Sequence, residues 1–180
     1  ALRLYHYGSP DIHESSADWF GFDGAGTITG FNWEAGRTNV VIPWAIGGVP
    51  VTAIGAGAFF DMGNQFGFPV TSVIAPQTVT SIGDGAFYNC DSLASVLLPQ
   101  AQTIGDSAFA YCYTLTSVII PQATSIGDRA FAYCYTLTSA SLPQATSIGD
   151  YAFGICNTLT SVRMGQNAPA EAAEVKTRSL

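Results

Sequence analysis

Four cysteines and four aspartates carry most of the reactive chemistry in this chain, and they recur in step. Cys90, Cys112, Cys134 and Cys156 lie 22 residues apart, as do Asp84, Asp106, Asp128 and Asp150. Thiolates could serve as nucleophiles or metal ligands, and paired cysteines could form disulfides. Carboxylates in a row could hold Ca²⁺, which takes oxygen ligands. Each idea meets an obstacle in the spacing. Equivalent positions on stacked coils lie ~4.8 Å apart with parallel side chains, whereas a disulfide needs Cβ atoms ~3.5–4.5 Å apart and facing one another. The cysteines therefore read as a column of free, buried thiols acting as small hydrophobes. One carboxylate per coil falls short of the six or more oxygens that Ca²⁺ prefers. Each aspartate is instead expected to cap its own turn of helix.

Nucleophilic catalysis finds no support. Both histidines, His6 and His13, precede the repeats, so no base stands beside the many serines. No Gly-x-Ser-x-Gly elbow or phosphate-cradling glycine loop occurs. His6 and His13 with Asp11 and Glu14 match no established metal-ligand spacing. No catalytic residue, metal or cofactor is expected, and a hydrolase is the least favoured function.

The columns belong to a larger repeat. Ile82, Ile104, Ile126 and Ile148 keep the same 22-residue step, as do Phe87, Phe109, Phe131 and Phe153. A fixed period in the twenties marks a solenoid, each repeat forming one coil stacked on the next. Within a coil, Leu115, Val118 and Ile120 suggest a short strand that Pro121 ends. Gly127 is expected to allow a sharp bend, and Asp128 to Cys134 to form one helical turn.

The chain divides into four segments on this basis. Residues 1–16 show no periodicity and read as an extended arm or linker. Residues 17–38 read as an N-terminal β-hairpin cap, with Asp23-Gly-Ala-Gly26 as its turn. Residues 39–164 hold a solenoid of about five coils, with Trp44–Pro50 lengthening one turn and Gly63–Pro69 inserted as a bulging loop. Residues 165–180 form a tail, where good helix formers and a Glu174–Arg178 pair suggest a C-terminal cap.

Composition narrows the partners. Of 180 residues, 48% are hydrophobic and the formal charge is −7, with only six scattered basic residues. No basic stripe for nucleic acid exists, and no apolar run approaches the ~20 residues of a membrane-spanning helix. Ala1 opens the chain with neither an initiator Met nor a leader, as expected of a processed or excised segment.

Leu-x-x-Val-x-Ile, followed after Pro-Gln by Ile-Gly-Asp-x-Ala-Phe-x-x-Cys, resembles the BspA-like leucine-rich repeats of bacterial surface proteins. Thr27-Ile-Thr-Gly30, Val40-Val-Ile-Pro43 and Gly48-Val-Pro-Val-Thr-Ala-Ile-Gly55 extend the likeness over roughly residues 26–164. The resemblance implies short parallel strands along one face with helical turns or loops opposite. It also implies an extracellular or cell-surface module for adhesion or protein binding, with no catalytic residues to carry over.

The strand face is the expected contact surface. Beside each inward Val, one outward set is polar: Asn39, Ser72, Ser95, Ser117, Ser139 and Ser161. The other runs Val41, Ile74, Leu97, Ile119, Ser141 and Arg163, an aliphatic stripe that turns polar. Aligned apolar residues on an exposed face tend to mark an interaction surface. A protein ligand is expected there, with self-association through this face or the C-terminal end as a further expectation. The alternative is a carbohydrate-binding module using Trp19, Trp33, Trp44 and exposed tyrosines such as Tyr113 and Tyr135.

Overall fold

The computed structural model describes residues 15–32, 38–62 and 69–165. The arm up to residue 14, residues 33–37 with Trp33, the inserted residues 63–68 and the tail from residue 166 lie outside the described residues. The expected linker, bulging loop and C-terminal cap fall largely on those segments.

The chain winds into a β-solenoid of about six turns. A long ladder of parallel strands runs through Thr27–Phe31, Ala53–Ile54, Ser81–Ile82, Thr103–Ile104, Ser125–Ile126 and Ser147–Ile148. Its inward residues are Ile28, Ile54, Ile82, Ile104, Ile126 and Ile148. A second, serine ladder runs in two blocks. One block joins Asn39–Val41, Ser72–Ile74 and Ser95–Leu97; the other joins Ser117–Ile119, Ser139–Leu142 and Ser161–Met164. Alternation of one buried residue with polar neighbours makes these segments strands, and a register shift of one would turn every Val outward.

At the N-terminal end, Phe20–Phe22 pairs antiparallel with Thr27–Phe31. Asp23 fixes the connecting turn by accepting the N–H groups of Ala25 and Thr27 at 2.7 and 2.9 Å. The second strand of this hairpin is already the first rung of the long ladder. The solenoid thus starts before residue 39 and has six coils rather than five. Ser15 closes the adjacent edge, donating its N–H to the Val41 carbonyl at 2.8 Å and accepting the Val41 N–H on its hydroxyl at 3.0 Å.

The core is a pile of rings. Phe31, Phe59, Phe87, Phe109, Phe131 and Phe153 stack with centroid spacings of 5.0, 4.8, 4.9, 5.2 and 5.2 Å. All six are buried. The inward isoleucines of the long ladder and Val40, Val73 and Val118 of the serine ladder pack around them.

The expected helical turns are absent; each coil closes through linked β-turns. In the coil of Phe87, the N–H groups of Ala86, Tyr88 and Cys90 bond back to Gly83, Gly85 and Phe87. The alternate N–H groups, of Gly85, Phe87 and Asn89, bond instead to Asp106, Ala108 and Ala110 of the next coil at 2.7–2.9 Å. A helix would direct every N–H along its own axis. Here half of them tie coils together, and positive φ at Gly85 (57°) and Asn89 (57°) sets the type II geometry.

The aspartates are accordingly not helix caps. Asp84 accepts the N–H of Asp106 at 2.9 Å, and Asp106 and Asp128 accept those of Asp128 and Asp150 at 2.8 Å. The column is an inter-coil hydrogen-bond ladder. Gly127 also has a different role from the one expected, since its φ is not positive. A Cβ placed on it would lie 2.6 Å from both the Asp106 nitrogen and the Gly105 carbonyl carbon. Glycine stands there because the coils approach too closely for any side chain.

Candidate binding surfaces

The cysteines line the interior. All four are free and buried. Each thiol donates to the Phe carbonyl of the preceding coil: Cys90 to Phe59 at 2.9 Å, Cys112 to Phe87 at 3.3 Å, Cys134 to Phe109 at 3.2 Å and Cys156 to Phe131 at 3.0 Å. Burial pushes the Cys90 thiol up to about 12 and Cys112 well above its ordinary range. A group so reluctant to ionise makes a poor nucleophile. Among the described residues, no group of three His, Cys, Asp or Glu side chains could hold a metal ion.

On the serine ladder, the register places the expected stripe in line within each block. Val41 sits opposite Ile74 and Ile74 opposite Leu97; Ile119 sits opposite Ser141 and Ser141 opposite Arg163. Exposure is uneven. Ile119 is 53% exposed and Leu97 36%, while Val41, Ile74 and Ser141 are half-buried. Ser95, Ser117 and Arg163 are exposed. The structure therefore brings Leu97, Ile119, Ser95 and Ser117 together as the open part of the stripe. The strands of Leu97 and Ile119 lie on consecutive coils and touch, yet no strand pairing joins the two blocks between them.

A second aromatic surface lies on the turn side. Tyr111 stacks on Tyr133 at 4.5 Å and Tyr113 on Tyr135 at 5.2 Å, the planes within 7° and 1° of parallel. The two stacks meet edge-to-face, Tyr111 with Tyr113 at 6.2 Å and Tyr133 with Tyr135 at 6.4 Å. Phe60 stacks on Tyr88 at 5.3 Å. The two described tryptophans differ, since Trp19 packs against the core while Trp44 is 55% exposed. Sequence reasoning singles out Tyr113 and Tyr135 but misses the array. The 22-residue spacing of Tyr111 and Tyr133 was the available signal.

Stacked parallel strands around a column of identical buried residues define a repeat solenoid of the leucine-rich-repeat kind. The chain belongs to the family described as BspA type leucine rich repeat region, which matches residues 52–170 in six copies. Among solved structures, it resembles a leucine-rich repeat protein from Bacteroides ovatus at 30% identity and a TM-score of 0.68, covering 85% of this chain and 41% of that one. A T. pallidum leucine rich repeat protein shares the fold at 22% identity and a TM-score of 0.63, covering 93% and 98% of the two chains. A leucine rich cell surface protein from Faecalibacterium prausnitzii matches at 26% identity and a TM-score of 0.50, covering 84% and 52%. The chain thus spans about two fifths of the Bacteroides ovatus protein's length. No curated protein matches it. Among the described residues, no helix is long and apolar enough to cross a membrane.

Proposed function

We propose that this chain is a non-catalytic protein-binding module displayed at the bacterial cell surface, contacting its partner through the serine ladder. The observation that carries the reading is the pair of large aliphatic side chains, Leu97 and Ile119, exposed on a strand face with the exposed Ser95 and Ser117 beside them. Exposed apolar residues flanked by small polar ones leave a surface that loses water readily when covered. Val41 and Ile74 continue the stripe in half-buried form; Ser141 and Arg163 give it a polar end. Membership of a surface-protein repeat family and likeness to a cell-surface protein from Faecalibacterium prausnitzii support the location. The hairpin of Phe20–Phe22 with Thr27–Phe31 acts in this reading as the N-terminal cap, because its antiparallel strand ends the long ladder and covers an open edge.

Ile119→Asp tests the proposal. The site is exposed, so the variant should stay folded, losing no more than about 1–2 kcal/mol. Partner capture on the cognate surface, or self-association read by analytical ultracentrifugation, should be abolished. Retention of both by the folded variant would place the contact elsewhere.

A further inference from the structure

The six strands of the serine ladder are joined at four of their five steps, and the fifth is open. At the joined steps the bonding repeats. The N–H groups of Thr71, Ala94, Thr138 and Thr160 bond to the carbonyls of Thr38, Thr71, Thr116 and Thr138 at 2.7–3.0 Å. The hydroxyls of Thr71, Thr138 and Thr160 donate to the same carbonyls at 3.0–3.1 Å. Just past the strands, the N–H groups of Ile42, Ala75 and Ile120 bond to Ile74, Leu97 and Ser141 at 2.9–3.1 Å. Between Ser95–Leu97 and Ser117–Ile119 none of these bonds is formed among the described residues. Thr116 does not bond to Ala94, and the Leu98 N–H does not bond to Ile119.

The core carries a mark of the same break. Val40, Val73 and Val118 point inward and are buried, whereas Val96, the inward residue on one side of the open step, is only half-buried. Elsewhere the same two coils stay joined. Thr103–Ile104 pairs with Ser125–Ile126, and Phe109 stacks on Phe131 at 5.2 Å. The N–H groups of Ser107, Phe109 and Tyr111 bond to Asp128, Ala130 and Ala132 at 2.7–2.9 Å. The opening is bounded along the chain as well. Before it, the Thr114 hydroxyl donates to the Asp91 carbonyl at 3.0 Å; after it, the Thr124 N–H bonds to Gln102 at 2.8 Å.

We propose that this step is a hinge, at which the serine ladder parts and closes between Leu97 and Ile119 while the long ladder and the turn side stay joined. Two opposed costs make it bistable. Closing packs Val96 and Leu98 but leaves the Leu98 N–H buried without a partner, which is unfavourable. Opening lets that N–H reach water and exposes apolar surface in return. Local opening belongs where backbone bonds are few, and a hinge absorbs motion at a few residues between bodies that stay paired. Those bodies are the block ending at Leu97 and the block beginning at Ser117. Leu97 and Ile119 stand one on each lip, so the motion sets their separation, and a partner gripping both would select one opening. That consequence rests on the serine ladder being the contact surface; the hinge itself does not.

Amide hydrogen exchange, read residue by residue by NMR on the whole chain, tests the hinge. Leu98 and Ile120 are equivalent and equally buried. The Leu98 N–H should exchange about a hundredfold or more faster than that of Ile120. The Gly127 N–H, which crosses the same step to Ile104 on the long ladder, should be protected as Ile120 is. Equal protection of Leu98 and Ile120 would overturn the proposal. So would exchange at Gly127 as fast as at Leu98, because the two coils would then part as a whole. A lock separates motion from a merely accessible N–H. Ser95→Cys with Ser117→Cys, both at exposed positions, joined by a short bis-alkylating reagent, should slow Leu98 exchange by about tenfold or more. The native thiols are buried and should be spared. The same link between Ser117→Cys and Ser139→Cys, across a paired step, should leave Leu98 within about twofold of wild type. Unchanged Leu98 exchange in the first linked protein would overturn the hinge. None of these readings involves a partner, so the hinge and the contact surface fail by different measurements.

Discussion

On the turn side of a coil, Gly105, Gly127 and Gly149 leave no room for a side chain, and Asp, Phe and Cys each bond or stack across to a neighbouring coil. Along the serine ladder, ordinary parallel pairing holds the strands; one outward set keeps serine from Ser72 to Ser161, while the other varies from Ile119 to Ser141 to Arg163. The two sides differ in what they demand of a residue. Contact across ~5 Å between coils fixes identity; a pleated outer surface fixes only alternation. Strict repetition in this chain therefore marks close packing, and positions that drift are those left available for recognition. The outward serines and the tyrosines are the exceptions, because both repeat without lying in the core.

The largest effect should come from the ring column. Phe131 has a stacked ring on each side, 5.2 Å away in both cases, and is fully buried. Phe131→Ala removes both contacts and opens a cavity, costing about 3–5 kcal/mol. Chemical denaturation would read this as a lowered midpoint. An unchanged midpoint would mean that the turn side does not hold the coils as described.

Gly127→Ala should come next. Its Cβ would press on backbone atoms of Asp106 and Gly105, which cannot swing aside as a flexible side chain would. Parting the coils there strains the Asp106–Asp128 hydrogen bond and should cost about 1–3 kcal/mol. Ser117→Ala, at an exposed outward position of the serine ladder, should change stability by less than about 0.5 kcal/mol. Equal losses at the two sites would erase the contrast between the sides.

Much of this was legible from the spacing of Ile, Phe and Cys, because a solenoid writes its contacts into its period. The free, inward thiols followed from parallel stacking. Local turn structure did not. Asp128-Arg-Ala-Phe-Ala-Tyr-Cys134 reads as a helical turn because Ala and Arg favour helix, but the neighbouring coils take every second N–H and hold Arg129 and Tyr133 at positive φ. Tertiary hydrogen bonding overrode propensity. The aspartates misled for the same reason, as the N–H that Asp84, Asp106 and Asp128 each accept belongs to the next coil. On the candidate face, the pattern placed Val41, Ile74, Leu97 and Ile119 in one outward set. It could not show that Val41 and Ile74 are half-covered or that pairing stops between Leu97 and Ile119.

The smallest effect tests whether the turn side is fully optimised. Gly57, Gly85, Ser107, Arg129 and Tyr151 occupy one column, with φ between 53° and 63° throughout. The first two coils fill it with glycine and the later three do not. A left-handed conformation costs an L-residue roughly 1–2 kcal/mol, while glycine loses more chain entropy on folding, roughly 0.5–1 kcal/mol relative to alanine. The exposed Arg129 side chain adds no described hydrogen bond to offset the strain. The first quantity exceeds the second, so Arg129→Gly should stabilise the fold by a few tenths to about 1 kcal/mol. Differential scanning calorimetry would show a modest rise in Tm. A fall would mean that the Arg129 side chain contributes more than its exposure indicates, and that drift in this column reflects selection on the surface.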